Sequence, residues 1–104
     1  MKAVVVLTTV GSGHDARGLA EQLVEARLAA CVNILPQLYS VYRWQGRVEQ
    51  DDEQLLLIKT AADKVDALTE KLLALHPYET PELVVLPVES LHGPYAQWFE
   101  AVLK

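Results

Sequence analysis

Two stretches of the chain, Ala3–Leu7 and Leu55–Ile58, are apolar at every position. Successive strand residues point to opposite sides of a sheet, so a strand with one solvated face alternates apolar with polar residues. A strand that is apolar at both parities needs cover on both sides. Any fold for this chain must place these two segments centrally and find two layers to cover them.

The rest of the chain supplies one layer. Gly11 and Gly13 break the first strand, and Ser12 and Asp15, three apart, can share the capping of a new helix. Ala16, Leu19, Ala20, Leu23 and Val24 then keep helical spacing, and the helix is expected to run to about Ala29. Cys31 to Trp44 reads as a long extended segment, with Pro36 marking an edge or a bulge because proline donates no ladder hydrogen bond. Gln45-Gly46 is a tight turn, and Arg47 to Thr60 returns as the second arm of a long hairpin. Val65, Leu68, Leu72 and Leu75 form one stripe of a helix over Asp63–His76, which Pro77 stops. Glu82–Val88 is a fourth strand. Tyr95, Trp98, Phe99, Val102 and Leu103 make the apolar stripe of a short final helix.

This order predicts an α+β fold over a single domain, residues 1–104. It is a ferredoxin-like βαββαβ arrangement with an extra C-terminal helix, an antiparallel sheet and a long hairpin between the second and third strands. Right-handed crossovers put both main helices on one face, with strands one and three central. The other face, apolar along both central strands, is then left bare over more area than a monomer tolerates. The final helix is too short to cover it, so the patterning implies an oligomer of identical chains.

Charge and cysteine content narrow the function. Of 104 residues, 9 are Lys or Arg and 14 are Asp or Glu, a net charge of −5, which lacks the basic field of a nucleic-acid binder. No apolar run approaches the length of a membrane span. The apolar run after Lys2 is too short for a secretory signal and reads as a buried strand. A single cysteine, Cys31, permits no internal disulfide and fits a reducing compartment. The expected location is the cytoplasm, with neither nucleic acid nor membrane as a partner.

Few residues carry chemistry. His14 lies in a glycine loop and reads as solvated; His92 precedes Gly93-Pro94 and reads as a turn residue. His76 stands at a helix C-terminus, where the dipole favours imidazolium. It is either a structural cap or, with Glu79, part of a metal or ligand site. Gly11-Ser12-Gly13 lacks a phosphate-binding pattern and reads as an ordinary strand–helix turn. Cys31, between Ala30 and Val32, reads as a buried inert thiol. Tyr42 and Trp44 share a face, as packing residues or as a stacking wall for a ligand. Pro77 and Pro81 hold a rigid loop that displays Tyr78 and Glu79, which suits binding as well as plain connection. No activated nucleophile or acid–base pair is visible, so no enzyme is expected.

Several spaced motifs together resemble the CutA family, named for divalent-cation tolerance: Ala29–Ile34, Tyr42–Gly46, Leu57–Thr60, and above all His76-Pro77-Tyr78-Glu79-Thr80-Pro81-Glu82, with Tyr95 and Trp98 in the last helix. The resemblance implies a ferredoxin-like subunit in a homotrimer, with open sheet faces turned toward the threefold axis and hairpins pairing between subunits. It also implies likeness to the PII signalling trimers, which bind effectors in inter-subunit clefts. Family members assigned a copper site carry Cys at the position of Thr8 and a second His at that of Leu75; here His76 is the one member of that set present. A soft thiolate with imidazoles suits copper, whereas a hydroxyl with one imidazole does not.

Two readings follow. In the first, a cytoplasmic homotrimer serves in divalent-cation tolerance and binds Cu²⁺ weakly through His76, with Glu79 as a second contact; no cofactor is required. In the second, a PII-like signalling or interaction trimer holds a small ligand or partner in the cleft near Trp44, Tyr78 and Glu79.

Overall fold

A computed structural model describes residues 1–104. Its elements run β1 (Ala3–Gly11), α1 (Ala16–Glu25), β2 (Cys31–Trp44), β3 (Arg47–Ala61), a 3-10 turn (Ala62–Lys64) leading into α2 (Val65–Leu75), β4 (Val84–Pro87) and α3 (Gly93–Val102). The four strands form one antiparallel sheet in the order β2-β3-β1-β4. The two strands apolar at both parities are the central ones, as their patterning requires.

Even-numbered residues of the central strands, Val4, Val6, Val10, Leu56 and Ile58, pack against Leu19 and Leu23 of α1 and Leu68 and Leu72 of α2. Thr8 and Thr60 lie in the same buried rows. The Thr60 hydroxyl donates to the Leu28 carbonyl oxygen at 2.7 Å, but Thr8 Oγ1 is buried without a partner. Odd-numbered residues face the other way. At one end of that face, Phe99 and Leu103 of the α3 segment pack with the paired Ala3 and Ala61. Beyond them no element of the chain covers the face. Val5, Leu7 and Thr9 stand opposite Lys59, Leu57 and Leu55, flanked by Leu86 and Val84 on β4 and by Asn33 and Leu35 on β2. Leu35 is 47% exposed and Leu86 44%.

The hairpin outruns the sheet. Gln45 and Gly46 turn with φ of 51° and 79°, the double positive φ of a type I′ turn, which matches strand twist. β1 ends at Gly11, opposite Glu53, so the hairpin beyond Glu53 has only its own two strands. This projection makes the molecule 45 Å long against 25 and 23 Å across. A register shift between Leu35 and Leu38 absorbs Pro36.

Three local expectations change. α1 stops at Glu25, short of Ala29. Arg27 turns left-handed at φ 59°, its N–H bonding the Val24 carbonyl while the Leu28 N–H bonds that of Leu23. This is a Schellman motif with arginine where glycine is usual. Asp15 caps α1 by accepting from Gly18 N at 2.9 Å, without Ser12. Cys31 is half-buried rather than buried, because it begins β2 opposite Lys59 on the uncovered face. No helix is long and apolar enough to cross a membrane.

The unpartnered Thr8 hydroxyl generates a test. Valine has nearly the same shape and no polar atom, so Thr8→Val should stabilise the fold by about 1 kcal/mol. Thermal unfolding should show a rise of several degrees; a fall would mean that the hydroxyl is satisfied in solution.

Candidate functional site

Where β1 ends and the hairpin projects, the α2–β4 loop folds over the sheet and encloses a cleft of about 950 Å³. Its floor is Thr9 and Gly11 of β1. One wall comes from Tyr42 and Trp44 of β2 with Asp51, Asp52 and Glu53 of β3, and the Pro77–Glu82 loop closes the other side. Trp44 and the adjacent pair Tyr78-Glu79, far from it in sequence, thus line one cavity.

A chain of hydrogen bonds pins the loop to the floor. Pro77 forces His76 out of the helix into an extended conformation (φ −75°, ψ 135°). The imidazole turns inward and is 8% exposed. Its Nδ1 accepts from the Tyr78 N–H at 3.1 Å, so Nε2 carries the proton and donates to the Thr9 carbonyl at 2.9 Å. The Tyr78 ring meets the His76 ring edge-on at 4.9 Å, and its hydroxyl donates to Glu53 Oε2 at 2.6 Å. A Cβ at Gly11 would stand a tight 3.2 Å from His14 Cδ2 and in ordinary contact, 3.5 Å, with the Tyr78 hydroxyl. His14 is therefore a neighbour of the cleft, with its ring edge-on to Tyr78 at 6.4 Å. Gln54 ties down the neighbouring β1–α1 turn by donating to the carbonyls of Gly11 and His14.

The site is acidic. Asp51, Asp52, Glu53, Glu79 and Glu82 line it, with no Lys, Arg or His among the lining residues. Glu53 is 5% exposed. The Tyr42 hydroxyl donates to Asp51, and this bond, followed by desolvation, pushes the phenol up to about 12. Burial, then the bond to Glu53, pushes Tyr78 well above the usual phenol range. Desolvation lowers the pKa of His76 from its ordinary 6.5, outweighing the Thr9 bond, so the neutral ring is favoured. The helix-end location alone suggested the reverse.

His76 and Glu79 do not form a joint site: both imidazole nitrogens are engaged elsewhere, and Glu79 takes neither. No group of three or more His, Cys, Asp or Glu side chains is placed to hold a metal ion. Thr8 is sealed in the core and Leu75 packs against it. The side chains as placed here form no ready-made metal site. Sequence reasoning missed Glu53, Asp51 and Asp52; the signal was an acidic run on the hairpin arm paired with the one that carries Tyr42 and Trp44.

The comparisons agree with this architecture. A family model described as CutA1 divalent ion tolerance protein matches residues 4–102. The chain belongs to the CutA1 family. It is 53% identical over 94 residues to the divalent-cation tolerance protein CutA of Thermus thermophilus, covering 90% of this chain and 91% of that one. It is 48% identical over 87 residues to the human protein CutA, covering 84% of this chain but 49% of the human one, about half its length. The crystal structure of the Oryza sativa family member superposes with a TM-score of 0.93 at 40% identity, covering 98% of this chain and 94% of that one.

A pH dependence follows from the neutral His76. Above the ordinary 6.5 the imidazole is neutral in both folded and unfolded chains. As pH falls through that value the unfolded chain takes up a proton that the folded chain resists, so stability declines. Melting temperature should drop between pH 7.5 and 5.5, and His76→Gln should flatten that slope. An unchanged slope in the variant would assign the dependence to other groups.

Proposed function

We propose that the chain acts in divalent-cation tolerance as a homotrimer. The uncovered sheet face carries this reading. Val84, Leu86, Val5, Leu7, Leu55 and Leu57 form a continuous apolar surface across three strands, and such a surface needs a partner. A second copy also stabilises the two-stranded outer hairpin, which is marginal alone. The single cysteine favours the cytoplasm. Relatives are described as periplasmic in Archaeoglobus fulgidus and chloroplastic in Oryza sativa. We assign no catalytic step.

Cu²⁺ binds weakly in this reading. Glu79 offers a carboxylate at the cleft, while His76 coordinates only by giving up the Tyr78 N–H or the Thr9 carbonyl. Copper leads the divalent series for such donors, so Zn²⁺ binds more weakly still.

The cleft favours a second reading, a PII-like trimer that holds a small ligand or partner beside Trp44, Tyr78 and Glu79. At about 950 Å³ it has the volume of a ligand site, and its polar groups are pre-organised by the His76–Tyr78–Glu53 chain.

Light scattering should give three times the 11.6 kDa chain mass at micromolar concentration. Leu57→Asp, which puts a charge on the uncovered face, should lower that mass or unfold the chain; a monomeric parent would overturn the assembly. Calorimetry with Cu²⁺ should show weak binding that His76→Ala abolishes without loss of the trimer. No copper binding by the parent would leave the cleft-ligand reading.

A further inference from the structure

We propose that His76 is a metal-sensitive latch: coordination of a soft divalent cation by its imidazole and docking of the α2–β4 loop exclude each other. The inference rests on the divalent-cation reading and states how that site is controlled.

An imidazole ligates through a nitrogen with a free lone pair, and neither nitrogen of His76 has one. Nδ1 uses its lone pair to accept the Tyr78 N–H at 3.1 Å, and Nε2 carries the proton donated to the Thr9 carbonyl at 2.9 Å. Two routes to coordination exist. At Nδ1, the cation takes the place of the Tyr78 N–H and the Thr9 bond survives. At Nε2, the ring proton moves to Nδ1, where it meets the Tyr78 N–H donor against donor, and both bonds are lost. The Tyr78 amide is released in either case. The Nδ1 route breaks fewer bonds: the ring stays anchored on β1 and only the loop is let go. The ring is 8% exposed, so a hydrated cation also needs the loop to move before it reaches either nitrogen.

The loop hangs on Tyr78. Residues 77–82 make no backbone–backbone hydrogen bond. Their hydrogen bonds to the rest of the chain are the two made by Tyr78, from its N–H to His76 and from its hydroxyl to Glu53 at 2.6 Å. Both ends of the segment are fixed. The His76 N–H closes α2 on the Leu72 carbonyl, and Leu83 packs against the core. A segment with fixed ends and few hydrogen bonds opens locally without unfolding the sheet. Every group of the latch belongs to one chain, so the device requires nothing from a neighbour.

The latch sets affinity and ion choice together. Coordination draws on the fraction of chains whose loop is undocked, and apparent affinity scales with that fraction. A change that weakens docking therefore tightens metal binding, even where it removes no ligand and adds none. Among divalent first-row ions imidazole suits Cu²⁺ best, whereas Mg²⁺ keeps to oxygen and water. Mg²⁺ leaves the latch closed.

The test combines calorimetry with Cu²⁺ and hydrogen exchange of the peptide spanning residues 77–83, read by mass spectrometry on the full chain. Cu²⁺ should speed exchange in that peptide at unchanged mass by light scattering, and Mg²⁺ should not. Tyr78→Phe removes the Glu53 bond and touches neither imidazole nitrogen. It should bind Cu²⁺ about fivefold more tightly than the parent, the weight of one hydrogen bond. Pro81→Ala gives the undocked loop more conformational freedom; it should shift affinity the same way by less, and it serves if Tyr78→Phe fails to fold. His76→Ala should bind no Cu²⁺ and should exchange the loop rapidly without metal. Slower exchange with Cu²⁺, or no gain of affinity in the folded variants, would overturn the latch and leave weak copper binding at His76 standing. Absence of copper binding in parent and variants alike, or its persistence in His76→Ala, would overturn the latch together with the metal reading. Binding by Tyr78→Phe alone would support the latch and show that the parent holds it closed.

Discussion

The pairs Leu7–Leu57 and Thr9–Leu55 sit back to back with the Val6–Ile58 layer, separated by no more than the thickness of the sheet. One side of that sheet is sealed by α1 and α2, while α3 reaches only the first pair of the other. With half of the residues apolar, only 21 of 104 are buried within the single chain. The unused apolar area lies mainly on the face away from α1 and α2 and on the hairpin, where Tyr39 is 77% exposed. In the proposed assembly a neighbour completes the core, and the long hairpin and open face are two parts of one requirement.

The same geometry creates the cleft. Because β1 stops at Gly11 while β2 and β3 continue, a step is left at the sheet end, and the α2–β4 loop drops into it. Pro77 turns His76 inward, His76 joins the Thr9 carbonyl to the Tyr78 amide, and Tyr78 reaches Glu53. Each link uses a group the previous one orients. His76 is thus a bracket behind the cleft wall, holding Tyr78 where the cavity needs it.

The sequence revealed elements whose signals are local. Both-parity apolar runs marked the central strands, Gln45-Gly46 marked the hairpin turn, and Pro77 marked the end of α2. The early stop of α1 was not legible, because Arg27 adopts a conformation for which glycine or asparagine is the usual sign. Within the site, Trp44, Tyr78 and Glu79 stood out as aromatics and as residues of a proline-bounded loop. The inward turn of His76 depends on a carbonyl 67 residues away, and the burial of Glu53 depends on a tyrosine 25 residues away. Neither dependence leaves a local trace, and an acidic hairpin arm reads as solvated until its partner is in place.

Arg27 has one further consequence. From its left-handed position just past α1, its guanidinium Nη1 donates to the Val102 carbonyl at 3.1 Å, at the last residue of α3. Helix C-termini carry partial negative charge, so the guanidinium offsets that of α3 while the Arg27 backbone N–H closes the end of α1. The first and last helices, separated by most of the chain, are electrostatically clasped at their ends. The tail is thereby tied to a motif complete early in the chain, and a lesion at either helix end is communicated to the other without passing through the sheet.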